Sequence, residues 1–266
     1  MKESYDKMIA NAELAKETVG SIQGELQHKE KLQTYFHLRP TTAGVVLVST
    51  LPYAPMSGVV CSKDDLADKI KMVDSKMDQF ISNSPDYPKL LEELKALGFG
   101  PEMSAGTPPL TAIQSTFITE MNERQDAYGA LRFVASELVI PKEETTGGYH
   151  FDIVAFGNEA LYFIELKKDR SETIFDEMGR CMTDLYEHQQ DFLKKLMAAY
   201  PLTAPGTEGL EPSAFHRVQG LVAMPEAESI TTDWQQKAND SNIELWFYQP
   251  ALVYRKYLPM NRTDIL

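Results

Sequence analysis

The stretch of sequence that decides the fold is FDIVAFGNEALYFIELK, residues 151–167. Two apolar segments of strand length flank the turn-forming triplet GNE at 157–159, so the stretch predicts a β-hairpin. The second arm is apolar almost without interruption, which is typical of a strand covered on both faces of a sheet. The hairpin therefore places Asp152, near the start of one arm, close to Glu165, near the end of the other.

This hairpin brings charged side chains together. Because side chains alternate along a strand, Glu165 and Lys167 share one face. A carboxylate at the end of a buried strand is costly, and Lys167 could compensate it as a structural ion pair. Asp152, however, adds a second carboxylate, and two neighbouring carboxylates repel unless one is protonated or a cation lies between them. A hard divalent ion such as Mg²⁺ or Mn²⁺ fits such oxygen ligands.

The segments around the hairpin predict a helix, three consecutive strands, a long helix and a further strand. Consecutive strands favour an antiparallel meander, and a long helix favours a crossover to a parallel neighbour. We therefore expect an α/β (α+β) fold with a mixed central sheet of αβββαβ order flanked by helices. The predicted elements are helix 113–128, strands 131–140, 151–156 and 161–166, helix 172–199, strand 218–224, helix 232–238 and strand 245–253.

The preceding part of the chain predicts a mainly helical N-terminal region. Its expected elements are a long polar helix over residues 1–35, a short β-branched run at 44–48, and helices over 62–81 and 87–97. Residues 98–109 contain three Gly and three Pro, which marks a candidate linker. We thus expect an accessory or substrate-selecting region, residues 1–110, that could also form a homodimer. The core would comprise residues 111–266.

The spacing of the charged residues resembles a known family. Asp152 is followed by twelve residues and then by Glu165-Leu166-Lys167, within the predicted αβββαβ order. This pattern is similar to that of the PD-(D/E)xK nuclease superfamily, which includes restriction-endonuclease-like and Holliday-junction-resolvase enzymes. The resemblance covers residues 113–225, and Phe151 precedes Asp152 where the family name has proline.

The resemblance implies a metal-dependent nuclease that hydrolyses phosphodiester bonds in nucleic acid, with DNA as the favoured substrate. Asp152, Glu165 and the backbone carbonyl of Leu166 would hold Mg²⁺ or Mn²⁺. Lys167 would orient or activate the attacking water. A rival interpretation is a non-catalytic binding module that keeps the fold, with the three charged residues as a structural ion cluster.

In the family the first helix often supplies one more acidic residue, and two are available. Helical phase favours Glu120, which borders the apolar stripe, whereas Glu123 followed by Arg124 looks more like the resolvase pattern. Solvated helix glutamates are the alternative for both. On the long helix, Gln189 matches a glutamine found in many of these nucleases, although a core glutamine bonded to backbone explains it equally well.

Three further residues flank the predicted centre. His150 shares a face with Asp152 and could contact substrate or metal, although a strand-end histidine in water is the simpler explanation. Lys168 and Arg170 follow the strand directly and are placed to contact backbone phosphates.

Composition restricts the remaining function classes. The net charge of −13, with most of the acid excess after residue 113, argues against a protein that coats nucleic acid non-specifically. No apolar run approaches the ~20 residues that span a membrane, and the N-terminus has no signal-peptide core. The two cysteines, Cys61 and Cys181, form no CxxC motif, so we expect a reduced, cytoplasmic protein without membrane contact.

Overall fold

The computed structural model gives the architecture of most of the chain. It describes residues 2–51, 58–83, 86–99, 109–123, 131–142, 148–167, 173–201, 204–225, 232–248 and 260–262.

The N-terminal region combines five helices with a small antiparallel sheet of order β1-β2-β3 among the residues described. The sequence predicted an extended stretch at 37–40 and a short β-branched run at 44–48, which lie in β1 and β2, but it did not predict that they pair in a three-stranded sheet. The elements are α1 (Lys2–Ile22), α2 (Lys29–Tyr35), β1 (Phe36–Pro40), β2 (Val45–Ser49), β3 (Gly58–Cys61), α3 (Leu66–Ser75), α4 (Met77–Asn83) and α5 (Tyr87–Ala96).

Two of the predicted N-terminal helices are each divided. The expected first helix breaks between α1 and α2, where the backbone NH groups of Gln27 and His28 donate to the Asp74 carboxylate at 2.8 and 2.9 Å. That carboxylate is 4% exposed, so the turn replaces helical hydrogen bonds with buried ones. The second expected helix is interrupted at Lys76, between α3 and α4.

The core confirms the predicted mixed sheet and its αβββαβ order. Its strands lie in the order β4-β5-β6-β7-β8-β9. The elements are α6 (Pro109–Glu123), β4 (Arg132–Pro141), β5 (Gly148–Gly157), β6 (Ala160–Leu166), α7 (Thr173–His188), α8 (Gln190–Ala199), β7 (Arg217–Pro225), α9 (Thr232–Asp240), β8 (Ile243–Tyr248) and β9 (Met260–Arg262).

Strand directions follow from the lengths of the connections. The consecutive strands β4, β5 and β6 pair antiparallel, as expected of a meander. Strand β7 follows two helices and pairs parallel to β6, and β8 follows α9 and pairs parallel to β7. The helical crossovers return the chain to the same end of the sheet, which parallel pairing requires.

A two-residue turn closes the β5–β6 hairpin, as the sequence predicts. Gly157 pairs with Ala160, and Asn158 and Glu159 between them have φ of 49° and 56°. Two successive positive φ values match the twist of a hairpin, and they favour Asn followed by Gly. Glu159 therefore carries backbone strain.

Replacing Glu159 with glycine is expected to stabilise the protein by about 0.5–1 kcal/mol, because glycine adopts positive φ without a Cβ penalty. Thermal unfolding of Glu159→Gly should show a rise in Tm of about 2 °C. Glu159→Ala is the matched control, since it removes the same carboxylate but keeps the Cβ. Equal Tm values for the two variants would contradict a strained turn.

The predicted long helix after β6 is two helices, α7 and α8. They are separated at Gln189, whose φ of −120° departs from helical geometry. The Gln189 side chain bonds Tyr5 of α1 and Asp184 of α7, at 3.2 and 3.1 Å. These contacts hold the Gln189 side chain at the break between the two helices.

Helices cover both faces of the large sheet. The apolar residues of α7 and α8 pack with Val154 and Phe163 on one face. The apolar residues of α6 pack with Ile153 and Ile164 on the other. In the part of the chain that the structure describes, no helix combines the length and apolar character needed to cross a membrane.

The N-terminal region contacts the core directly. The rings of Tyr5 in α1 and Phe192 in α8 stack at 4.0 Å, and His37 Nε2 of β1 lies 2.7 Å from Ser136 Oγ of β4. The proposed linker at residues 98–109 lies mostly outside the described residues, so the predicted division at residue 110 stays a prediction.

Candidate functional site

The candidate site lies where the β5–β6 ladder ends. The backbone pairing of the two strands ends at Ile153–Ile164. Beyond this pair, the Asp152 side chain bonds the opposite strand instead of the Asp152 backbone. Its Oδ2 accepts the backbone NH of Leu166 at 2.6 Å, where a strand carbonyl would otherwise bond. The Asp152 residue is only 7% exposed, so this acid is held rigidly at the mouth of the hairpin.

Glu165 and Lys167 form an ion pair beside this aspartate, and the prediction that they share a face is confirmed. Lys167 Nζ lies 2.7 Å from Glu165 Oε1, with side-chain exposures of 29% and 18%. The Lys167 backbone is fixed on both sides, because its NH donates to Ala223 and its carbonyl accepts the hydroxyl of Tyr248. The lysine is therefore anchored while its ammonium group stays accessible to water.

Burial, together with the neighbouring Glu165 carboxylate, dominates the electrostatics of Asp152. Burial and then the nearby Glu165 carboxylate raise the pKa of Asp152 to about 7, against the NH of Leu166, which lowers it. Glu137 raises this pKa further, and His150 partly offsets the effect. The charged form of Asp152 is thus disfavoured by burial and by the nearby carboxylates, which favours either a proton or a bound cation.

The donor chemistry fits a hard divalent cation, but protein side chains supply only part of a ligand set. Asp152 Oδ1 and Glu165 Oε2 make no hydrogen bond with any residue that the structure describes. Within those residues no group of three or more His, Cys, Asp or Glu side chains is arranged to hold a metal ion. Two carboxylates would therefore need backbone and water oxygens to complete a coordination shell.

Of the two acidic candidates on α6, the structure describes the side chain of Glu120 but not that of Glu123. Glu120 is 3% exposed, in keeping with its predicted place beside the apolar stripe. Its helix, α6, covers the face of the sheet opposite to α7 and α8. Glu123 is the last residue of α6, and its side chain lies outside the described residues, as do Lys168 and Arg170.

Gln189 is bonded to side chains rather than to backbone. It is 2% exposed and joins Tyr5 to Asp184, whose carboxylate also bonds the Tyr149 hydroxyl. Burial and this carboxylate raise the pKa of Tyr149 above its usual range. Through Asp184, the glutamine therefore connects α1 and α7 to Tyr149 near the start of β5, three residues before Asp152.

Glu137, which the sequence pattern did not mark as a site residue, lies opposite Asp152. The ladder pairs Ser136 with Ile153 and Leu138 with Phe151, so Glu137 faces Asp152 between them. Its φ is 50°, a left-handed backbone that costs a glutamate about 1–3 kcal/mol. The available signal was the single acidic residue of a mainly apolar strand.

Glu137 also accounts for His150. His150 Nε2 lies 2.6 Å from Glu137 Oε2, so this histidine has a carboxylate partner, and its side chain is 49% exposed. The hydrogen bond to Glu137 raises the pKa of His150 against the effect of burial. Burial would raise the pKa of Glu137, but hydrogen bonds from His150 and Gln114 outweigh it and hold that pKa below its usual range.

Comparison with known proteins identifies no relative of this chain. The chain matches no protein-family model, no curated protein and no solved structure.

Proposed function

We propose that the chain is a metal-dependent nuclease of the PD-(D/E)xK type, which hydrolyses phosphodiester bonds in nucleic acid. One observation carries this proposal: Asp152 and the Glu165–Lys167 pair meet where the β5–β6 ladder opens. The meander, the parallel fourth strand and the helices on both faces support it, since they provide the element order that the resemblance implies.

Asp152, Glu165 and the backbone carbonyl of Leu166 would hold Mg²⁺ or Mn²⁺. Such an ion, when bound, polarises the scissile phosphate and lowers the pKa of a bound water. The role of the chain is to fix both carboxylates in advance. The bond from the Leu166 NH orients Asp152, and the ion pair with Lys167 orients Glu165.

Lys167 would act on the attacking water and on the charge that develops at phosphorus. Its ammonium group is 29% exposed and sits on a backbone held at both the NH and the carbonyl. A preorganised cation stabilises a growing negative charge without having to move into place. DNA is the substrate we favour, and Lys168 and Arg170 would contact its phosphates.

The second candidate function is a non-catalytic binding module with a structural ion cluster. The 2.7 Å pair between Lys167 and Glu165 favours it, because this pair already neutralises one of the two carboxylates. The lack of a third ligand side chain in the described part of the chain points the same way. The two functions differ in metal binding and in cleavage.

Incubation of the purified chain with single-stranded and double-stranded DNA and with RNA tests the proposal. With Mg²⁺ or Mn²⁺ we expect cleavage of at least one substrate, and with EDTA none, because both carboxylates act through the ion. Asp152→Asn, purified identically, controls for contaminating nucleases. Cleavage that persists in EDTA or in this variant, or its absence from every wild-type reaction, would contradict the proposal.

A further inference from the structure

Three other elements meet at Glu137, beside the candidate site. Its carboxylate accepts hydrogen bonds from Gln114 of α6 and His150 of β5, each at 2.6 Å. Its backbone carbonyl accepts the guanidinium of Arg39 from β1 at 3.0 Å. We propose that Glu137 is a positioning residue of the site, which acts on Asp152 through the Gln114 amide; this inference rests on the proposed nuclease function.

The Gln114 amide is the physical link between the two acids. Its Nε2 donates to Glu137 Oε1 and to the backbone carbonyl of Asp152, both at 2.6 Å. The amide nitrogen has two hydrogens, so these two bonds use its full donor capacity. Glu137 therefore fixes the rotation of the amide, and the amide fixes the strand residue that carries the Asp152 carboxylate.

The backbone of Glu137 gives an independent reason to assign it a role in the site. A glutamate with φ of 50° inside a strand is rarely found, and such a conformation persists only where the surroundings enforce it. Here Arg39, Gln114 and His150 enforce it from three elements. This conformation places the Glu137 carboxylate among the charges that act on Asp152.

The position of Asp152 matters because catalysis is sensitive to small displacements. A shift of about 1 Å in a group at the site can lower a rate by roughly 10²-fold. Loss of the Glu137 carboxylate leaves the Gln114 amide free to rotate away from the Asp152 carbonyl. We therefore expect Glu137→Ala, which removes both acceptor oxygens, to lower kcat by about 10–100-fold and to leave KM within about threefold.

The experiment measures three properties of the full chain with Glu137→Ala: kcat and KM on the cleaved nucleic acid, the Kd for Mn²⁺ by calorimetry, and Tm. Glu93→Ala is the matched control. Glu93 is 23% exposed against 29% for Glu137, and it likewise accepts two side-chain hydrogen bonds, from Lys76 and Gln79. The control should lose similar stability, but its kcat and Mn²⁺ affinity should match the wild type.

A second variant makes the link itself testable and guards against misfolding. Gln114→Asn keeps the amide but shortens its reach, so it should lower kcat by about tenfold. Because both substitutions break one connection, the double variant should be no slower than the slower single variant. Additive losses in the double variant would overturn the inference.

The outcomes separate this inference from the proposed function. If the wild type cleaves nucleic acid and Glu137→Ala behaves like Glu93→Ala, the inference fails and the proposed function stands. If the wild type cleaves nothing, the proposed function fails, and the affinity for Mn²⁺ then tests the inference. A Kd for Mn²⁺ that is weakened several-fold in Glu137→Ala but not in Glu93→Ala supports positioning. Equal affinities, including no binding by either protein, overturn it.

Discussion

In EDTA at pH 8, Asp152→Asn is expected to be more stable than the wild type by about 2 kcal/mol, a rise in Tm of roughly 5 °C. Burial and the Glu165 carboxylate raise the pKa of Asp152 to about 7. At pH 8 the folded wild type therefore holds an ionised acid that its surroundings disfavour. Asparagine removes that charge, and its Oδ1 can still accept the Leu166 NH.

The sign of the pH dependence follows from the direction of this shift. Because the folded pKa lies above the ordinary value of 3.8, the protonated acid contributes stability below about pH 4. That contribution is lost as pH rises through about 7. The advantage of Asp152→Asn in EDTA should accordingly vanish near pH 4 and reach its full size at pH 8, as measured by thermal unfolding at both pH values.

Divalent ions should reverse the order of stability. Mn²⁺ is expected to raise the Tm of the wild type, because it binds the folded state through Asp152 and Glu165, and to leave Asp152→Asn nearly unchanged. Asp74→Asn is the matched control. It removes the charge of an aspartate that is 4% exposed and accepts two backbone NH groups, and it should destabilise the protein with or without metal. A wild type that gains no stability from Mn²⁺ would contradict the metal site.

The hairpin and the sheet could be predicted from sequence because their signals are local. The apolar runs on both sides of residues 157–159 define the strands, and the turn needs only two residues with positive φ. Strand alternation then places Glu165 and Lys167 on one face. The pairing of Asp152 with the end of β6 follows from the hairpin register alone.

The features that could not be predicted from the sequence depend on contacts between residues that are far apart in the chain. The break after α1 requires Asp74, which lies 46 residues from His28, and the break at Gln189 accompanies a contact with Tyr5, 184 residues away. Glu137 of β4 is a comparable case, because its proposed positioning role depends on a hydrogen bond from Gln114 in α6. The spacing of apolar residues predicts helices and strands, but it does not predict the tertiary hydrogen bonds that divide them.

Lys167→Ala is expected to lower kcat by about 10²–10⁴-fold while substrate binding stays within a few-fold of the wild type. In the proposed mechanism the ammonium group would contribute mainly when charge develops in the transition state, so its loss should spare the ground-state complex. The cost to stability should be modest, about 1 kcal/mol, since both partners of the Lys167–Glu165 pair retain some exposure. Steady-state kinetics, a binding isotherm and a melting curve measure the three quantities.

Lys76→Ala is the matched control for this substitution, because Lys76 also pairs with a half-buried glutamate. Its side chain is 34% exposed and that of Glu93 is 23% exposed, against 29% and 18% for the pair in the site. A structural ion pair would make Lys167→Ala cost ~3–5 kcal/mol, as when one partner of a buried pair is removed. The nuclease proposal instead predicts that both variants melt at similar temperatures and that only Lys167→Ala loses cleavage. An inactive wild type together with a Lys167→Ala variant that melts far below Lys76→Ala would favour the binding module.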